Sequence, residues 1–394
     1  GDRNNDSRRE VRSSGVSQFS VSPDEKEVAV IVRGEVFVTN VEFGTTKRIT
    51  NTPEQERVVS WGSDGRTLYY DSERGGSWNL YKSSIARDDD DSFADAVIVT
   101  EEPLLVTEDE TFQPVVSPDG KQLAYLKNRD EIMVMDLESK KSSSVIPRRK
   151  NHSYADGDIE YSWSPDSRWL TATYHGHRLW TPEIAAVKLA DGEVINVTQS
   201  GYSEYQPKFS SNGKLLLYAT NRYGERGHGS DGSEADVFGL YLNQEAFDEA
   251  HLSKAELALK KKRAKKKKER EEKEKSEKQK EKKDAPTKTP EKEDASGAVA
   301  VVSQTVEGSL SAVGLPAAVP FSSIVVAQGA EEKQKDKAKE DAKTSSAAKK
   351  SEKDKKDKKK VKPIDFELED RDQRLKRMTL MSAPIGSFDV SPDG

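Results

Sequence analysis

The side chains with the most chemistry to offer are five histidines, His152, His175, His177, His228 and His251, and an acidic run at Asp88 to Asp91. His175 and His177 stand at alternate positions, which on an extended strand puts two imidazoles on one face, as zinc binding requires. No third ligand stands near them in the sequence, so no metal is assigned. The acidic run lacks the alternating ligands and the Gly of a calcium loop and reads as a solvated loop. A nucleophile needs a base within hydrogen-bond reach and a third group to orient that base. The chain has no cysteine and no G-x-S-x-G elbow, H-E-x-x-H pair or phosphate loop. No catalytic residue and no cofactor is therefore assigned. The remaining candidates take their meaning from the elements that position them.

Those elements repeat. A strand, turn and strand first appear as Phe19-Ser20-Val21-Ser22-Pro23-Asp24 followed by Val28-Ala29-Val30, and Ser63, Pro118, Pro165, Ser211 and Pro392 later take the place of Pro23. The first four intervals, about 40 to 55 residues, are those of a β-propeller blade. Two residues before each anchor stands an apolar side chain: Val21, Trp61, Val116, Trp163, Phe209 and Val390. Five after it, wherever the chain continues, stands another: Val28, Leu68, Leu123, Leu170 and Leu216. Seven after it come Val30, Tyr70, Tyr125, Ala172 and Tyr218, which gives the second strand the period of two of a pleated strand. Ser117-Pro118-Asp119-Gly120 supplies the turn, with Pro where a type I turn fixes φ and Gly at its fourth position. The expected fold is all-β, a propeller of four-stranded blades, with five blades and the start of a sixth.

The repeat also divides the chain. Residues 1–15 are a polar lead-in and 16–242 hold five blades, the fifth without its fourth strand. Residues 243–361 are a Lys/Glu-rich excursion, and 362–394 bring a strand at Arg374 to Thr379 and open a sixth blade at Phe388. The excursion begins with a capping box, Ser253-Lys254-Ala255-Glu256, and continues with pairs such as Glu269 and Lys273 placed to meet on a helix face. It has no apolar stripe, so it forms a solvated helix or stays disordered and buries no core of its own. An apolar island at 297–327 is interrupted by Gln304, Glu307, Pro316 and Pro320, which argues against a membrane span and for a docking segment or weakly ordered loop.

Most of the excess behind the 34% charged fraction lies in that excursion, and the net charge of -6 comes from interleaved acids and bases, so no nucleic-acid partner is implied. Gly1 opens the chain without Met and Gly394 ends it inside a turn. The expectation is of a segment cut from a longer chain, in which a missing targeting signal carries no weight. The expected compartment is the cytoplasm, with the periplasm as the alternative, since the absence of cysteine does not decide it.

Five residues before each anchor, where the innermost strand of a blade begins, stand Gln18, Val58, Gln113, Glu160, Gln206 and Ser387. A propeller has a central channel lined by its innermost strands. One expectation is that Gln18, Gln113, Glu160, Gln206 and Ser387 face that channel and offer an unfolded peptide hydrogen bonds without an apolar surface to stick to. The alternative is that they cap strand ends at the rim.

Longer strings carry a resemblance. Arg33-Gly34-Glu35-Val36-Phe37-Val38, Arg48-Ile49-Thr50-Asn51-Thr52-Pro53-Glu54-Gln55-Glu56-Arg57, Leu68-Tyr69-Tyr70-Asp71-Ser72-Glu73-Arg74 and Ser77-Trp78-Asn79-Leu80-Tyr81 are similar to stretches of the tricorn protease family. Phe247-Asp248-Glu249-Ala250-His251-Leu252-Ser253-Lys254 and Ile364-Asp365-Phe366 with Arg374 resemble the same family, whereas the Lys/Glu excursion departs from its archaeal pattern. The likeness is to the second, seven-bladed propeller of these serine peptidases. It implies peptide substrates, PDZ and catalytic domains elsewhere in the parent chain, and a homo-oligomer, and no position here matches the Ser/His motif. The Ser-Pro-Asp-Gly turn is shared with two other propeller classes. These are TolB-like interaction scaffolds and the propellers of prolyl-oligopeptidase-like hydrolases.

Overall fold

A computed structural model describes residues 14–153, 155–176, 180–225, 234–283 and 363–390. The chain divides into two units, one built from 1–258 with 360–394 and the other from 259–359. In the first unit the strands form five four-stranded antiparallel sheets, each ordered as its strands follow in sequence. Blade 1 holds β1 (Val16–Val21), β2 (Glu27–Val32), β3 (Glu35–Asn40) and β4 (Thr46–Arg48). Blade 2 holds β5 (Glu56–Trp61), β6 (Thr67–Ser72), β7 (Asn79–Ile85) and β8 (Val99–Leu105). Blade 3 holds β9 (Thr111–Val116), β10 (Gln122–Lys127), β11 (Glu131–Asp136) and β12 (Ser142–Ile146). Blade 4 holds β13 (Tyr161–Trp163), β14 (Trp169–Tyr174), β15 (Glu183–Lys188) and β16 (Glu193–Asn196). Blade 5 holds β17 (Glu204–Phe209), β18 (Leu215–Thr220), β19 (Asp236–Tyr241) and β20 (Leu375–Arg377).

The apolar columns of the repeat are cross-strand partners. Val21 faces Val28, Trp61 faces Leu68, Val116 faces Leu123, Trp163 faces Leu170 and Phe209 faces Leu216. Leu68, Leu123, Leu170 and Leu216 are wholly buried, each worth about 1.5–3 kcal/mol in transfer from water. The core is not inside any one sheet but between neighbouring sheets. Trp61, Leu68 and Tyr70 of blade 2 pack on Ala29, Ile31, Val36 and Val38 of blade 1. Phe209, Leu216 and Tyr218 of blade 5 pack in the same way on Trp169, Ile184 and Ala186 of blade 4. Central strands are consequently buried on both faces, and no residue of β14 is exposed. On blade 1 the corresponding surface is open, with Phe19 and Val21 exposed.

The turns are held by their own side chains. Ser22, Ser117 and Ser164 each donate a hydroxyl proton to the Asp two residues on, and each accepts from the backbone N–H that opens the second strand. Gly120 sits at φ 73, and a Cβ there would run into Ser63 Oγ of the neighbouring blade.

The last strand of blade 5 comes from far along the chain. β20 pairs antiparallel with β19, Phe238 opposite Arg377 and Leu240 opposite Leu375. Asp236 anchors the return, accepting from Arg377, from Thr379 Oγ1 at 2.7 Å and from Ser382 Oγ at 2.9 Å. Just before it, Ile364 N–H donates to Asp166 at 2.7 Å, and Phe366 packs edge-on against Trp169. After β19 come α1 (Gln244–His251), capped by Asn243, and α2 (Lys254–Lys283), which opens with the Ser253–Glu256 box closed in both directions. The apolar island at 297–327 lies outside the described residues.

Candidate functional site

At the head of four of the five innermost strands the pairing slips by a residue or more, in β1 before Gln18, in β5 between Glu56 and Val59, in β9 around Gln113, and in β17 between Tyr205 and Lys208. Gln113 and Gln206 adopt the left-handed conformation there, at φ 52 and 57. Such a bulge takes backbone N–H groups out of the ladder, and each must find another acceptor.

Two carboxylates supply it. Asp71 on β6, 1% exposed, accepts from Arg57 N–H at 3.1 Å and Val58 N–H at 2.8 Å through one oxygen, and from Gln113 N–H of the next blade at 2.9 Å through the other. Glu160, just ahead of β13, accepts from Gln206 N–H of the next blade at 2.7 Å. Burial pushes Asp71 up to about 6 in spite of its three donors, and burial pushes Glu160 up to about 7 against the Gln206 bonds and the charge of Lys208.

The glutamines close the seams in between. Gln18 accepts from Val59 N–H at 3.1 Å and donates to Val59 O at 3.3 Å. Gln113 donates to Ile159 O at 3.1 Å, and Gln206 to Gly386 O at 2.8 Å. Indoles and a phenol reinforce them. Trp61 Nε1 donates to Ser20 O and Trp163 Nε1 to Val115 O, both at 2.9 Å, and the Tyr161 hydroxyl donates to Gln113 O.

Gln18, Val58, Gln113, Glu160 and Gln206 thus lie half-buried on one rim, while Ser387 is exposed. Four of them spend side-chain polar groups, or the N–H at their own position, on a neighbouring blade. Sequence reasoning assigned no role to Asp71, eight residues after its anchor, where the other blades carry Ile31, Leu126, Thr173 and Ala219. It read Trp61 and Trp163 only as apolar, although a Trp at that column in the second and fourth blades was a visible sign of a donor.

Beside this rim is a cleft of about 280 Å³ where blades 1 to 3 converge, lined by Gln18, Arg57, Val58, Gln113, Arg129 and Asp156 among others. An ion chain crosses it. Arg57 and Arg129 both pair with Asp156, and Arg129 also pairs with Glu110. Burial alone would raise Asp156, but the two guanidiniums hold it below its ordinary range. Each guanidinium also lies over a ring, Arg57 at 4.1 Å from the Trp78 centroid and Arg129 at 4.7 Å from that of Phe112. The pair is thereby fixed in place with a planar donor fork beside an open cleft, an arrangement suited to carbonyl or carboxylate oxygens.

His175 is half-buried, and His177 and His228 lie outside the described residues. Among the described residues no group of three or more His, Asp or Glu is placed to hold a metal ion. No described helix is long and apolar enough to cross a membrane.

No protein-family model matches the chain. It is 23% identical over 225 residues to an uncharacterized protein of Agrobacterium fabrum, covering 48% of this chain and 74% of that one. It is 26% identical over 214 residues to tricorn protease homolog 1 of Streptomyces coelicolor, covering 52% of this chain and 18% of that protein. Among solved structures, tricorn protease aligns with a TM-score of 0.43 at 17% identity, over 60% of this chain and 23% of that one. The chain therefore spans less than a fifth of the tricorn homologue it matches. At this low identity, the five blades are similar to a β-propeller region of tricorn protease homologues.

Proposed function

We propose that these blades are the non-catalytic propeller of a tricorn-like serine peptidase, and that their rim guides extended peptides toward a catalytic domain elsewhere in the parent chain. The observation that carries the reading is the cleft where blades 1 to 3 meet, with the Arg57–Asp156–Arg129 chain at its edge. An unfolded peptide presents a carbonyl at every residue, and the two fixed guanidiniums offer donors at the mouth of the inner rim. The rim itself is already bonded blade to blade, so it can be skirted by a peptide without pairing to it as an extra strand. Peptide substrates, PDZ and catalytic domains in the same chain, and a homo-oligomer belong to this proposal.

The test uses the full-length protein and two substrates, a long peptide and a short chromogenic one that reaches the catalytic domain unaided. Arg129→Gln is expected to lower kcat/KM for the long peptide about tenfold, the loss of one charge-assisted contact, and to leave the short substrate unchanged. Equal turnover of the long peptide by both forms would remove the guiding role. A full-length protein that cleaves neither substrate would leave a TolB-like interaction scaffold as the better reading.

A further inference from the structure

A second cavity, of about 390 Å³, opens in blade 4, where the lead into β13, the end of β14 and the entry to β15 meet Tyr205 of β17. Two of its walls are aromatic, Tyr205 and the 74% exposed Trp180. Its polar lining is Asp158, Glu160, Thr173 and His175, and neither Lys nor Arg lines it. Thr173 is only 2% exposed, yet its Oγ1 has no hydrogen-bond partner among the described residues, and the same holds for His175 Nδ1. Native structures rarely leave a buried hydroxyl without a partner, so an orphan in a cavity wall marks a place for a ligand atom.

The chemistry of the lining selects the ligand. A carboxylate oxygen accepts hydrogen bonds, and burial leaves Glu160 fully ionised only above about pH 7; a hydroxyl can accept, and a neutral imidazole nitrogen can accept. Burial lowers the His175 pKa, which favours the neutral ring. An acceptor-rich floor between two aromatic faces suits a group that only donates, carries positive charge and lies against a ring. Arg and Lys side chains meet all three conditions. A metal ion is the other cation to weigh, and no described group of ligands is placed for one.

We propose that this cavity is a subsite for a Lys or Arg side chain of a peptide lying along the inner rim. The inference rests on the peptide-guiding reading for the source of its ligand. The experiment titrates the protein with short fluorescein-labelled peptides of Ala and Ser carrying one central Arg or, in its place, norleucine, and reads anisotropy. The Arg peptide is expected to bind about tenfold tighter. Trp180→Ala, at an exposed position, and the near-isosteric Thr173→Val should each erase most of that preference. Equal binding of the two peptides overturns the subsite and leaves peptide guiding intact. Failure of both peptides overturns guiding, and acetyl-arginine-amide then decides the subsite alone. Binding of that probe, lost in Trp180→Ala, upholds it, and no binding removes it.

Discussion

Successive seams between blades are fastened in two ways, and the two alternate. Between blades 2 and 3, and again between blades 4 and 5, a carboxylate accepts the bulge N–H of the following blade, Asp71 from Gln113 and Glu160 from Gln206. Between blades 1 and 2, and again between blades 3 and 4, a Gln amide reaches the next backbone and a Trp indole reaches back. Gln206 continues the second pattern toward Gly386. A bulge needs only an acceptor, and the difference lies in what else the acceptor brings. The amide is neutral and indifferent to pH, whereas the carboxylate ties the seam to proton concentration, and Asp71 also gathers three donors at one point.

The largest contrast should come from Asp71→Ala. It orphans three half-buried N–H groups at once, and a loss of about 3 kcal/mol is expected in urea unfolding. A loss below about 1 kcal/mol would mean that water satisfies the bulge as well as the carboxylate does. Gln113→Leu, at an amide seam, breaks one bond to Ile159 and is expected to cost about 1 kcal/mol. If it matched Asp71→Ala, the distinction between the seams would fall.

The pH dependence sharpens the same comparison. Asp71, Glu160 and Glu204 are all raised by burial, to about 6, 7 and 7. The folded chain then holds protons that the unfolded chain has released, so this contribution is full at low pH and is lost as pH rises through about 6 to 7. Asp156 and Asp236 are held low and act in the opposite sense, weakening the fold only below about pH 4. Lys208 and Asp158 face Glu160, and Arg57 faces Asp71. The expected thermal midpoint is highest at about pH 4 and falls as pH rises to about 7. Glu160→Gln should flatten that slope, and an undiminished slope in the variant would exclude the Glu160 seam as its source. The smallest effect is reserved for a pair that joins no blades. Arg48→Gln loses the surface pair with Glu35 and should change stability by less than about 0.5 kcal/mol.

Blade architecture was legible because it is written in side chains whose role depends on strand neighbours close in sequence. Val116 and Leu123, or Trp163 and Leu170, meet across a turn of a few residues. The rim was only half legible. The column holding Gln18, Gln113, Glu160 and Gln206 was visible, but what each group bonds to lies in the next blade, and the bulge that creates the need has no signature in residue type. Asp71 is the clearest case. Its position on β6 places it beneath a bulge in its own blade and beside another in the next, and only the three-dimensional arrangement brings those N–H groups together.

β20, supplied from beyond the Lys/Glu excursion, has a consequence in time as well as in space. During synthesis β17, β18 and β19 leave the ribosome together, but more than a hundred residues must be translated before Leu375 appears. At about 5–20 residues per second that is a delay on the order of ten seconds. Through that interval β19 lacks the strand that covers its outer edge, and such an unpaired edge invites pairing with another chain. The excursion therefore makes blade 5 the point at which the nascent chain is most open to mispairing or to a chaperone.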